Sequence, residues 1–386
     1  MNYEFPIINN INDVLPHIKD FEEIVVSENI QGNFVTIRYI VSTPQLWERT
    51  PGWEIRRECR GIAFCTKTGK VLSRPYHKFF NIGEKEETQT NKINLYEPHV
   101  ILEKLDGSMI RPIKTPDGDF NMATKAGVSE VSIMTYDFLS DNEHYYDFMN
   151  YMVDKLEYTP IFEFCSPKNR VVINYFEDRL VLTALRNIHT GKYVRYSDMV
   201  YYAQLYNIDY VKAINTLSVQ NIHLLVKQVK EWEGSEGIVM RFDNGHMVKC
   251  KADDYIQKHY AKEAINYEKN LIALILDDGL DDLIPTLYEE DRERVLSFET
   301  DFYAAIHDTC MEIHDMYGEY VGDGSQKDFA VNFVKYRSHR YHQFLYGLHR
   351  GDYNLMEALY SYIKKNLSTS TKVDQVRWVF GNLRWV

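Results

Sequence analysis

The segment Glu103-Lys104-Leu105-Asp106-Gly107-Ser108 places a lysine just ahead of Asp-Gly, a pair that turns the chain at a strand end and so presents the amine at the edge of a sheet. An exposed hairpin carrying a solvated lysine fits the same string. Met247-Val248-Lys249-Cys250-Lys251 carries a second signal, because residues two apart in a strand share a face: Lys249 and Lys251 point together while Val248 and Cys250 face a core. Two ammonium groups side by side repel unless an anion lies between or above them, so the chemistry suggested is anion binding. A solvated polar face is the plainer alternative. In Ile161-Phe162-Glu163-Phe164 the aromatics face one way and Glu163 the other, and a carboxylate inside so apolar a strand needs a partner unless the strand is an edge. Ser235-Glu236-Gly237-Ile238-Val239 offers a second carboxylate at the entry to the strand that leads to the lysine pair. Upstream, Cys59-Arg60-Gly61-Ile62 sets an arginine before a glycine that would let backbone approach a ligand, and Arg74-Pro75-Tyr76-His77-Lys78-Phe79-Phe80-Asn81 embeds Lys78 among aromatics. Each of these two, taken singly, reads as structural.

The elements that must hold these residues are mainly strands. Residues 34–41 are β-branched and aromatic, and similar runs precede Lys104, surround Glu163, cover residues 180–185 and flank Asp243-Asn244-Gly245. The Asn-Gly pair is a hairpin signal, since both residues tolerate positive φ. One helix interrupts the strands, marked by Tyr145, Met149, Met152 and Leu156 on one face. Beyond about residue 260 the period changes to that of helices. Phe298, Phe302, Ile306, Ile313 and Met316 mark one helix, while Leu355, Met356, Leu359 and Ile363 mark another that starts near Asp352 as N-cap and ends at Lys364-Lys365. The expected architecture is α+β: residues 1–260 as one domain, residues 261–386 as a helical second one.

Composition bounds what such a chain can do. It has 386 residues, enough for two cores, with 45% hydrophobic and 14% aromatic residues, which argues against disorder. Lys and Arg number 44 against 56 Asp and Glu, a net charge of -12, which argues against coating nucleic acid non-specifically and leaves room for a local basic site. The N-terminal residues show no basic start followed by an apolar run, and no stretch approaches 18 uninterrupted apolar residues, so a soluble cytoplasmic protein is expected. The five cysteines are scattered without a CxxC pair, as free thiols in a reducing compartment would be.

Taken in order along the chain, Arg60-Gly61, Lys78-Phe79-Phe80-Asn81, Lys104-x-Asp106-Gly107-Ser108, Phe162-Glu163-Phe164, Glu236-Gly237-Ile238-Val239 and Lys249-x-Lys251 resemble the motif series of the covalent nucleotidyltransferases, the superfamily of ATP-dependent ligases and capping enzymes. The match is most specific to the phage-type RNA ligase 1 family, spans roughly residues 30–365, and extends to that family's helical C-terminal domain. The resemblance implies an antiparallel-sheet nucleotidyltransferase domain in which Lys104 attacks the α-phosphorus of ATP and carries AMP, with Lys249 and Lys251 binding phosphate and favouring the neutral amine. It implies nucleotide contacts from Tyr39, Arg60, Lys78, Lys125 (in Thr124-Lys125-Ala126-Gly127), Glu163, Glu236 and Tyr255, and a place for Mg²⁺ near Asp281 and Asp282. For those two, N-terminal helix capping is an equal reading. The expected partners are RNA 5′-phosphate and 3′-hydroxyl ends, as in a cleaved tRNA, met by a monomer with no membrane attachment, in the host cytoplasm if phage-encoded.

In residues 335–342 (Lys-Tyr-Arg-Ser-His-Arg-Tyr-His) cations alternate with aromatics, a composition able to hold RNA by phosphate contact and base stacking, though a charged helix face is the slightly favoured reading. The net charge is no obstacle: Arg60, Lys78, Lys104, Lys125, Lys249 and Lys251 outnumber Asp106, Glu163 and Glu236 by six to three. Two other functions compete. A DNA ligase or GTP-using capping enzyme would carry a β-barrel after the lysine pair, where this chain turns helical. A catalytically inactive RNA-binding protein would have lost the motif lysine or the carboxylates, which are all present.

Overall fold

The computed structural model describes residues 4–215, 221–277, 279–322, 324–351 and 354–385. The β-branched and aromatic runs form strands, as their fit to a pleated half-buried surface dictates. In chain order these are β1 (Ile24–Asn29), β2 (Phe34–Tyr39), β3 (Arg60–Cys65), β4 (Val71–Ser73), β5 (Phe80–Asn81), β6 (His99–Glu103), β7 (Ser108–Lys114), β8 (Phe120–Ala123), β9 (Tyr158–Cys165), β10 (Arg179–Asn187), β11 (Gly237–Phe242) and β12 (Met247–Lys251). They make three four-stranded sheets, in the orders β1-β2-β3-β4, β10-β9-β7-β8 and β5-β12-β11-β6. The neighbours pair antiparallel apart from β5, which runs parallel to β12 and sets Asn81 opposite Lys249.

The strand expected over residues 34–41 stops at Tyr39, because Ile40 and Val41 are exposed and the chain leaves the sheet toward Pro44. The hairpin between β11 and β12 forms, with one difference. Of its Asn-Gly pair only Gly245 takes a positive φ, +93°, closing a three-residue loop through its N–H to Phe242 O. The helical face marked by Tyr145, Met149 and Met152 is buried, as the helix His144–Asn150 continues into a wider π turn over Tyr151–Lys155.

The chain forms two compact units, Met1–Ile256 and Gln257–Val386. The second unit is helical. Its long helix Glu289–Gly318 buries Phe298, Phe302, Ile306 and Ile313, and the helix Leu355–Lys365 buries Leu355, Leu359 and Ile363. That last helix is capped by the Asn354 side chain, which accepts from Glu357 N; Asp352, expected as its cap, lies outside the described residues. Among the described residues no helix is long and apolar enough to cross a membrane, and the five cysteines are free and buried.

A buried ion cluster fastens the first unit. Glu58 accepts from Arg74 Nε at 3.0 Å and from Arg186 Nη1 and Nη2 at 2.7 and 2.8 Å, all three side chains being fully enclosed. The remaining guanidinium donors reach the carbonyls of Pro6, Pro75, His189 and Gly191, so both arginines bond the backbone as well as the carboxylate.

Candidate active site

β6 delivers Lys104. The strand ends at Glu103, and the Lys104 N–H donates to Gly237 O at 2.9 Å, which places the lysine beside the first residue of β11. Gly237 has φ +134°, and a Cβ there would lie 2.1 Å from Cys250 O, so only glycine lets β11 start against β12. The residue before it, Glu236, is consequently turned inward and buried. Its Oε2 accepts from Lys104 Nζ at 2.7 Å and its Oε1 from Lys251 Nζ at 3.0 Å. One carboxylate thus bridges the two lysines.

Lys104, Lys249 and Lys251 line one cavity of about 440 Å³ with Arg60, Lys125 and Glu163, a volume within the range of small-ligand sites. Val248 and Cys250 are buried on the opposite face of β12, as the alternation requires. Glu163 projects from β9 between the fully buried Phe162 and Phe164. Burial, reinforced by the Glu236 carboxylate and opposed by Lys104 and Arg60, pushes its carboxyl up to about 7. Burial, followed by the repulsion of Lys104, Arg60, Lys78 and Lys251, brings the Lys249 amine down to about 7. Lys125 is lowered to about 8 by burial and by Arg60, Arg38 and Lys78. Such a concentration of mutually repelling cations is what a polyanionic ligand would relieve.

The other expected residues stand behind the lining. The Lys78 ammonium lies 5.1 to 5.7 Å from the ring centroids of Phe80, Trp47 and Tyr39, and the Lys125 ammonium lies 4.1 Å from that of Tyr39, so Tyr39 is a platform for two cations. Tyr255 is buried and donates its hydroxyl to Asp106 Oδ1 at 2.7 Å, while its ring lies under the Lys251 ammonium. Asp106 Oδ2 accepts from Val172 N and Ile173 N at 2.8 and 2.6 Å. The aspartate of the Lys-x-Asp-Gly segment therefore fastens the turn that follows the nucleophile candidate. Gly107 belongs to the same lock, since a Cβ there would lie 2.4 Å from Phe164 O.

Gly61 corrects one expectation. Its φ is +101° and a Cβ would meet Lys125 O at 2.9 Å, so the close approach it permits is that of the Lys125 turn and not of a ligand. Arg111, which the sequence did not single out, holds that turn: it is fully buried and donates to the carbonyls of Gly61, Ala123 and Thr124.

In the second unit, Asp281 and Asp282 are exposed neighbours in the first turn of the helix Leu280–Leu283. Consecutive helical residues do not face each other. Among the described residues no group of three or more His, Cys, Asp or Glu could hold a metal ion. In the stretch 335–342, Arg337 pairs with Glu319 and lies over Phe333, Arg340 lies over Trp378, and Tyr341 is in the core bonded to Glu312, whereas Tyr336 is exposed.

Two family models match the chain, one over each part. The RNA ligase family model matches residues 58–263, and the model of the T4 RNA ligase 1 C-terminal domain matches residues 262–373. A Thermovibrio ammonificans protein named "Putative RNA ligase" is 30% identical over 75% of this chain and 76% of its own length. RNA ligase 1 of bacteriophage TS2126 is 26% identical over 75% of this chain and 69% of its own length. Among solved structures, an archaeal ATP-dependent RNA ligase superposes with TM-score 0.47 at 12% identity, covering 83% of this chain and 84% of that one. A Naegleria gruberi RNA ligase variant solved with ATP and Mn gives 0.34 at 13% identity, covering 42% and 52%.

Proposed function

Because the chain belongs to the phage-type RNA ligase 1 family, we propose that its cavity takes ATP and that Lys104 accepts the adenylyl group from it. In the first step the neutral amine of Lys104 attacks the α-phosphorus; a P–N bond forms, the bond from the α-phosphorus to the bridging oxygen breaks, and pyrophosphate leaves. In the second, an oxygen of an RNA 5′-phosphate displaces the lysine, giving a 5′-adenylated end. In the third, an RNA 3′-hydroxyl attacks that phosphate, AMP departs and the strand is sealed. The observation that carries this reading is the single Glu236 carboxylate shared by Lys104 and Lys251, with Lys249 in the same cavity.

Lys104 rests here as an ion pair, so it must release a proton before it attacks. Lys251 competes for the same carboxylate, and Lys249 and Lys251 are the cations within reach of the phosphate oxygens. Arg60 and Lys125 extend that positive lining, Tyr39 and Lys78 support it, and Glu163 is the acceptor for ribose. The described residues offer no cage for Mg²⁺, an ion that binds such sites through the substrate phosphates and one or two carboxylates with retained waters. We take the physiological substrate to be a cleaved tRNA, a reading supported by the match to the T4 RNA ligase 1 C-terminal domain, and the protein to be a monomer in a reducing cytoplasm, where its free buried cysteines fit.

Incubation with α-labelled ATP and a divalent cation should label the intact protein covalently, and Lys104→Ala should abolish the label. Label persisting in that variant would move the nucleophile elsewhere. Sealing of a 5′-phosphorylated, 3′-hydroxyl cleaved tRNA in preference to an unstructured oligomer tests the substrate.

A further inference from the structure

The far end of the cavity differs in character from the end at Lys104. Along β11 the residues Gly237, Val239 and Arg241 share a face and pair in turn with Lys251, Lys249 and Met247. Arg241 is thus four residues from the strand start that Lys104 touches, about 13 Å at the usual rise. That is a separation a nucleoside monophosphate can bridge from its phosphorus to the outer edge of its base. Beyond the Val239–Lys249 pair the lining continues as Tyr76, Thr183, Val211 and Arg241.

Arg241 is 4% exposed, yet its Nη1 has no hydrogen-bond partner and its Nη2 reaches only Val194 O, at 3.4 Å. A buried donor on a charged group left unpaired is costly, and in a native fold it calls for a reason. On its other side Arg241 borders a second cavity lined in part by Phe5, Tyr193 and Asp243, where Asp243 already supplies negative charge. On the nucleotide side the guanidinium faces the neutral Tyr76 hydroxyl, and among the described residues no carboxylate bonds it there. Thr183 is brought to the same end by the bulge in β10 between Leu182 and Ala184. Its hydroxyl donates to Ile161 O at 2.9 Å, and of the two acceptor sites on its oxygen one neighbours the Tyr76 hydroxyl and the other is left for a ligand.

We propose that Arg241 is a specificity-determining residue that donates a hydrogen bond to a ring nitrogen of the nucleotide's purine base. Thr183 supplies the neighbouring acceptor. Adenine shows an acceptor nitrogen next to a donor amine, whereas guanine shows two adjacent acceptors on the corresponding edge, so the pair favours adenine. The inference rests on the reading that this cavity holds the nucleoside of ATP.

The test is the single-turnover rate of Lys104 labelling, as a function of concentration, with ATP, 1-deaza-ATP, 3-deaza-ATP and 7-deaza-ATP. Wild-type protein should lose about 10- to 100-fold in efficiency with one of the three analogues, the size expected for a hydrogen bond to a charged donor. Arg241→Met should react with ATP as poorly as wild type does with that analogue, and should no longer tell the two apart. The wild-type arm needs no variant to fold, and Arg241→Lys, which keeps a donor, should recover part of the discrimination. Equal rates for all four nucleotides in wild type, or undiminished discrimination in Arg241→Met, would overturn the proposal. Absence of any label from ATP in wild type would instead remove the nucleotidyl-transfer reading, and this inference with it.

Discussion

Lys249 is the residue whose protonation should report nucleotide binding most directly. Its amine titrates near 7 and that of Lys125 near 8, well below the ordinary lysine value of about 10.4. A triphosphate beside them favours the ammonium form, so binding draws protons onto the protein. At pH 8 the Glu163 carboxyl, raised to about 7, is already ionised, as are the nucleotide's phosphates with a second pKa of about 6. Calorimetry at pH 8 in buffers of different ionisation enthalpy should therefore show net proton uptake, up to about 1.4 protons per nucleotide bound. Lys249→Met should take away most of it, and net release would contradict the assignment. Tyr255 makes a separate case, because it bonds Asp106 and does not line the cavity. Tyr255→Phe should cost about 1–3 kcal/mol of stability and slow labelling while leaving KM for ATP unchanged; a raised KM would put the hydroxyl on the nucleotide. Lys104, Glu163, Glu236, Lys249 and Lys251 were legible in the sequence because strand alternation and turn chemistry are local. Arg111 and Arg241 were not, because nothing near them in sequence marks their environment: Arg111 bonds a carbonyl 50 residues away, and Arg241 one 47 residues away.

At the scale of elements, the start of β11 is the most demanding point. Its first residue must approach the β12 backbone with positive φ, and the same turn aims Glu236 at both lysines. Gly237→Ala should destabilise the fold by a few kcal/mol through strain and steric clash, and should lose covalent labelling even where folded protein is recovered. Normal labelling by Gly237→Ala would show that Glu236 can be placed another way. The β11–β12 hairpin, the alternation in β9 and β12 and the helices of the second unit were all readable from periodicity. Two features were not: the parallel pairing of the two-residue β5 with β12, and the use of Gly61 to admit the Lys125 turn. The first is too short to have a period, and the second depends on a backbone approach between segments 64 residues apart.

On the scale of the whole molecule, a net charge of -12 over the chain coexists with a cavity rich in lysine and arginine. Contact with RNA should therefore involve few phosphates. The logarithm of RNA affinity against that of salt should slope by about -0.7 to -2, one to three phosphates on a single strand, and a slope beyond about -4 would require a far wider basic surface. The Glu58 cluster governs stability instead. Burial alone would raise the Glu58 carboxyl, but Arg186 and Arg74 overcome it and hold the group at about 2, against about 4.3 unfolded. A depressed carboxyl stabilises above its unfolded value and loses that contribution as pH falls toward the folded one. Glu58→Gln should cost about 3–5 kcal/mol at pH 7 by urea unfolding, since it strands two buried arginines, with the gap to wild type closing between about pH 4 and 2. The same cluster sets a schedule for synthesis. Glu58 meets Arg74 only 16 residues later, but its second arginine follows it by 128, and at about 5–20 residues per second that is roughly 6 to 26 s of elongation. Until Arg186 leaves the ribosome, the Glu58 carboxylate beside the nascent β1–β4 sheet has only one of the two arginines that enclose it, so this region finishes folding only after the strand of another sheet has been made.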